Sequence, residues 1–173
     1  TYFPSHTLAH LTDWMRDSIV DEVEVLDFLA ALSRSTHETI NLSRRISSKV
    51  KIIKGLESTF AIGVSVNTGT LMPISGSLTG IVMLALMDPE SRDEFIGNLK
   101  NTDRKQYDNL DIEIINEIVS TLKRDGLITK CDLYIKGIGA VCMPIVLQCT
   151  SEPLVVGIVG PSERIMLHQK EYE

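Results

Sequence analysis

The chain has 173 residues, enough for one domain with a core of its own and short for two. Hydrophobic residues make up 43% and charged residues 23%, a balance that excludes a disordered chain and fits a globular one. The formal net charge of -6 argues against this chain alone gripping nucleic acid, which needs a basic footprint, and equally against a polybasic membrane anchor.

Pro4-Ser5 precedes a helical pattern in which Leu8, Leu11 and Met15 share a face flanked by Trp14. A second amphipathic helix follows, with Val25, Leu26, Leu29 and Leu32 inward and Asp21, Glu22, Glu24 and Asp27 outward. Thr39-Ile40-Asn41-Leu42-Ser43 alternates polar and apolar side chains, the period of a half-buried strand. Ser47-Ser48 makes a turn and residues 50–53 resume as the second arm of a hairpin. Residues 60–66 read as another strand, ended by the turn signal Asn67-Thr68-Gly69.

The rest of the chain is organised around residues 71–90, LMPISGSLTGIVMLALMDPE. A strand end at 71–74 leads through Ser75-Gly76-Ser77-Leu78-Thr79-Gly80 into an apolar helix at 81–87, stopped by Asp88-Pro89. A loop of small residues feeding a helix N-terminus leaves up to four backbone N–H groups without partners, at the positive end of the macrodipole. A carboxylate or another anion can satisfy them, which makes the loop a candidate ligand cradle. The alternative is that Ser75, Ser77 or Thr79 caps the helix itself.

Asp88 and Pro89 open the next helix as cap and first residue. A further helix covers 111–124, with Ile112, Ile115, Val119 and Leu122 on one stripe and Gly126 as its stop. Strands are predicted at 127–134, 138–147 and 154–159, then a C-terminal helix at 162–170. Pro144 demotes its strand to a sheet edge or marks a bulge. Helices around a mostly antiparallel sheet give an α+β fold.

Catalytic and metal chemistry find little footing. Cys131, Cys142 and Cys149 form neither a disulfide framework nor a CxxC pair, which points to a reducing cytoplasm. Cys131 and Cys142 could face one another on neighbouring strands, but no histidine lies near either in sequence to act as base. His6, His10, His37 and His168 lack metal-ligand spacing. The apolar run 137–147 is too short to span a bilayer. No catalytic residue, metal or cofactor is assigned.

Several stretches together resemble the C-terminal effector-binding domain of IclR-type transcriptional regulators. Residues 35–42, STHETINL, are similar to that family's helix-to-strand transition. Pro73 through Gly80 to Met83-Leu84-Ala85 and Asp88-Pro89-Glu90 resemble its Pro-to-helix segment. Gly126-Leu127, Lys136-Gly137-Ile138-Gly139-Ala140, Met143-Pro144-Ile145, Gly160-Pro161 and Arg164-Ile165 resemble its later landmarks. The resemblance implies a GAF-like α+β domain spanning 1–173 that binds a small-molecule effector and forms a homodimer or tetramer. It implies DNA binding only through an N-terminal winged helix-turn-helix domain, with 1–17 as the linker helix from it. The non-methionine start and acidic balance fit a chain cut down to that regulatory half.

In the family, small organic acids are held by backbone N–H groups of the loop matching Leu78-Thr79 and by polar groups on later strands. The matching later positions are Lys130, Ala140, Gly157 and Val159, of which only Lys130 offers a side-chain hydrogen bond. The implied site is the hydroxyl-bearing loop with Ser75, Ser77, Leu78 and Thr79, facing Lys130, Ala140, Cys142, Gly157 and Val159. Such a pocket is more apolar than that of an organic-acid sensor, with Lys130 as a lone charge that would favour an anion. A dimerisation module that has lost its ligand is the competing reading, and a thiol-dependent GAF-like enzyme a third.

Overall fold

The computed structural model describes residues 23–146 and 152–172. The predicted helix with Trp14, the 1–17 linker helix and Cys149 lie outside the described residues. The elements run α1 (Val23–Thr36), β1 (Thr39–Ile46), β2 (Lys49–Leu56), β3 (Leu71–Pro73), a 3-10 turn (Ile74–Gly76) and α2 (Leu78–Ala85). There follow α3 (Pro89–Thr102), α4 (Arg104–Asp108), α5 (Ile112–Asp125), β4 (Ile128–Cys131), β5 (Ile138–Ile145), β6 (Leu154–Pro161), α6 (Ser162–Leu167) and α7 (Gln169–Tyr172). The strands form one six-stranded sheet in the order β3-β2-β1-β6-β5-β4, with every neighbouring pair antiparallel. This is the α+β layout implied by the resemblance.

Helices cover both faces of the sheet. On one face α1 and α6 send Val25, Leu29 and Ile165 against Ile40, Leu42, Val141, Val156 and Ile158. On the other, α2 and α5 send Ile81, Leu84, Ile115 and Ile118 against Val50, Ile128, Cys142 and Val155. Successive strand residues point to opposite faces, so Val141 and Cys142 belong to different cores. This double cover corrects the reading of 39–43 as a half-buried strand: all five residues are buried, the polar ones included. Thr39, Asn41 and Ser43 face a second interior, not water.

Local chemistry sets the element ends much as expected. Asp88 accepts from the Ser91 amide, and Asp111 accepts from the amides of Glu113 and Ile114. Gly126 ends α5 at φ 78, in the left-handed region that only glycine enters cheaply. On α5 the buried stripe is Ile115 and Ile118, whereas Ile112 is half exposed at the first turn.

Two strand expectations fail for stated reasons. Residues 60–66 form no ladder, and two of their carbonyls are instead taken singly by side chains of other elements. Thr39 Oγ1 donates to the Val64 carbonyl, and Arg164 Nη2 donates to the Ile62 carbonyl at 3.0 Å. The segment is a loop folded over the sheet. Pro144 neither sits on an edge strand, since β5 lies between β6 and β4, nor marks a bulge, since the β5–β6 register runs through it unbroken. β4 stops pairing at Cys142, so Pro144 stands where that side of β5 is already open, and its missing donor breaks no ladder there.

The helix α2 begins at Leu78, three residues before the predicted start. It is buried along its whole length. Its N-terminus fits against the Ile74 turn because residue 80 is glycine: a Cβ there would overlap the Ile74 carbonyl. Alanine at position 80 would gain about 1 kcal/mol of helix propensity. Forcing the backbones apart costs more, so Gly80→Ala should destabilise the domain by about 3 kcal/mol in urea unfolding. A variant as stable as the parent would show that this close approach is not a constraint.

Candidate functional site

A cavity of about 230 Å³ lies between the start of α2 and the inner face of the sheet. The α2 side supplies Gly76, Ser77, Leu78 and Thr79. The sheet supplies Asn41, Lys130, Gly139, Ala140 and Val159. The rim comes from Val64 and Val66 of the 57–70 loop and from Leu133, Tyr134 and Ile135 of the β4–β5 connection. Most of this lining is carbon.

The polar groups are few and fall at the helix start. Ser77 caps α2, its hydroxyl accepting from the Gly80 amide at 3.2 Å. That satisfies one of the first-turn donors. Among the described residues no carbonyl or side chain takes the amides of Leu78 and Thr79. The serine caps the helix, as one of the two readings expects, and two amides remain at the positive end of the helix. The Thr79 hydroxyl lies 3.6 Å from Cys142 Sγ.

Six of the nine sequence-predicted positions meet at this cavity: Ser77, Leu78, Thr79, Lys130, Ala140 and Val159. Three stand behind the wall. Ser75 is fully buried, and its hydroxyl has no partner among the described residues. Cys142 is fully buried behind Thr79. Gly157 faces Asn41 across the β1–β6 register.

Lys130 is not a lone charge. Its ammonium donates to both carboxylate oxygens of Glu117 on α5, at 2.6 and 2.7 Å, and the pair is partly solvated. The ion pair neutralises the one cation that sequence placed in the pocket. Nor do Cys131 and Cys142 face each other, since Cys131 pairs with Gly139 and Cys142 with Ile128. The two thiols point into opposite cores. Among the described residues no cluster of histidine, cysteine or carboxylate side chains could hold a metal ion.

Sequence reasoning missed Asn41 and the 64–66 stretch as lining residues. The signal for Asn41 was present in the polar alternation of 39–43, but a polar strand face ordinarily means solvent.

An antiparallel sheet covered by helices on both faces, with a small apolar cavity at a helix N-terminus, is a GAF-like layout. The sequence profile of the bacterial transcriptional regulator IclR C-terminal domain matches residues 19–172, and the chain belongs to that family. No curated protein matches the chain significantly by sequence. Among solved structures, the effector domain of a regulator assigned as IclR from Acinetobacter sp. ADP1 is 18% identical, with TM-score 0.73. That match covers 91% of this chain and 88% of the other. An IclR family regulator from Brucella abortus is 14% identical with TM-score 0.76, over 92% of this chain and 60% of that one. The C-terminal domain of a regulator from Vibrio cholerae is 18% identical with TM-score 0.66, over 83% and 84% of the two chains. At these identities the structures establish a shared fold.

The buried thiol gives a direct check on the packing behind the site. Burial pushes the Cys142 thiol from its ordinary 9.0 up to about 12. A shift of that size lowers the thiolate fraction near pH 8 about a thousandfold, and thiolate is the reactive form. Peptide mapping after brief iodoacetamide treatment should find Cys142 unmodified in the folded protein and modified in urea. Ready labelling of the native protein would mean that the wall behind Thr79 is open.

Proposed function

We propose that this domain senses a small molecule within a longer DNA-binding regulator, and that it self-associates as a dimer or tetramer. The observation that carries the proposal is the cavity of about 230 Å³ closed on one side by the two unclaimed amides of α2. An apolar chamber with a few convergent polar groups is the usual form of a small-molecule site, and this one lies below the usual range of about 300–1,000 Å³, which suits a small ligand. The matched ligand has an apolar body and one acceptor group, a carbonyl or carboxylate, directed at Leu78 and Thr79. Because Glu117 already satisfies Lys130, a full anionic charge is not required.

Regulation follows if the ligand has different affinities for two states of the assembly. The match covers 60% of the Brucella abortus regulator's chain. In this reading DNA contact belongs to a part of the protein outside this domain, and the regulator acts in the cytoplasm. Among the described residues no helix is long and apolar enough to cross a membrane. The competing reading, a dimerisation module without a ligand, draws on the paired state of Lys130 and the bare walls at Ala140 and Val159.

A thermal-shift screen separates the two readings. A ligand that binds only the folded state at about 100 times its Kd adds about 2.7 kcal/mol, or about 5 °C and more for a domain of this size. Small aromatic and aliphatic acids, ketones and hydrocarbons should include compounds that give such a shift. A panel in which none does, while the protein remains oligomeric in light scattering, would favour the dimerisation module.

A further inference from the structure

The apolar residues at the later pocket positions leave open what, on the sheet side, would recognise the polar end of a ligand. The answer lies on a strand that the sequence comparison did not implicate. Asn41 is only 3% exposed, lies in the middle of β1 and lines the cavity. Its Oδ1 accepts from the Ser43 hydroxyl at 3.0 Å, which fixes the plane of the amide. The other end, Nδ2, has no acceptor among the described residues. Nδ2 is not one of the sealed polar atoms of the core, so its donors open into the cavity, where an acceptor group on a ligand would take them.

Gly157 explains how the amide fits. It is the register partner of Asn41 on β6, and a Cβ at 157 would lie 2.9 Å from Nδ2 and 3.0 Å from Oδ1. The glycine that offers no hydrogen bond of its own therefore makes the room that the asparagine side chain fills. The polar group at this point of the wall therefore comes from β1, one strand spacing from β6.

We infer that Asn41 is the specificity-determining donor of the sheet wall, and that it selects ligands bearing a hydrogen-bond acceptor over hydrocarbons of the same shape. The inference rests on the sensing function proposed above and adds the residue that reads the ligand. Two amides of α2 and the Asn41 NH2 group border one small chamber, all of them donors. An acceptor group entering it meets complementary partners on both walls. A hydrocarbon of equal size fills the volume and leaves every donor unsatisfied.

The test uses acetophenone, benzoate and ethylbenzene as probes, with binding followed by calorimetry. The first two carry an acceptor and the third does not. The parent should bind acetophenone about tenfold more tightly than ethylbenzene, the equivalent of about 1.4 kcal/mol. In Asn41→Leu that preference should vanish, by loss of acetophenone affinity with ethylbenzene affinity kept or improved. Should the leucine variant fail to fold, Gly157→Ala decides the matter. The three atoms nearest the added methyl all belong to the Asn41 amide, so the variant should push that amide aside with the fold kept, and the same loss of preference is expected. Equal discrimination by the parent and by either folded variant overturns the role of Asn41 and leaves the sensing function standing. Failure of all three probes to bind the parent counts against the sensing function itself, and against this inference with it.

Discussion

The close seating of α2 on the Ile74 turn is the constraint on which the rest of the molecule depends. Glycine at position 80 lets the helix backbone approach the Ile74 carbonyl. The turn itself is held from two sides: the Ile74 amide donates to the Ser48 carbonyl at 3.1 Å and to Gln106 Oε1 at 3.0 Å. Gln106 is in turn fixed by Asp103, which accepts from its Nε2 at 2.8 Å. With every side chain of α2 buried, the helix cannot shift along the sheet without opening the core. Its first-turn amides are thereby carried, fixed in direction, to the edge of the cavity.

A second device holds the opposite rim. Glu38 is wholly buried and is met by Arg164 of α6 in a two-pronged ion pair, while Gly160 leaves the room that the carboxylate needs. The same guanidinium donates to the Ile62 carbonyl and lies 4.1 Å from the centre of the Phe60 ring. One arginine thus ties α6, the residue before β1 and the 57–70 loop whose valines rim the cavity. Bidentate geometry offsets the desolvation cost that a buried pair otherwise carries, and losing either partner would strand a buried charge. The pair contributes most by giving an otherwise ladderless loop a fixed place.

Much of this was legible in the sequence, for identifiable reasons. Ser77, Asp88 and Asp111 announce helix starts by residue type, and Gly126 announces a stop, because capping is local chemistry. The hairpin at Ser47-Ser48 and the order of the last three strands follow from short-range patterning. What escaped depends on contacts between distant segments. Residues 60–66 have strand composition, yet Thr39 and Arg164 claim their carbonyls one at a time. Lys130 looked like a solitary charge because Glu117, its partner, lies on a different element. Asn41 looked solvent-facing because polar alternation does not reveal that a second layer of helices covers that side of the sheet. Six of the nine site positions meet at the cavity because the resemblance fixed where β4, β5 and β6 would lie against the helix start.

The central claim is that the Leu78 and Thr79 amides await an acceptor from outside the protein. Amide hydrogen exchange read by NMR addresses it at single residues, with benzoate as the probe. With benzoate near saturation, those two amides should exchange at least about tenfold more slowly, consistent with a new charge-assisted hydrogen bond. The amides of Ile81 and Val82, already bonded inside the helix, should not change. Bound benzoate that perturbs other cavity residues and leaves Leu78 and Thr79 unaltered would contradict the account.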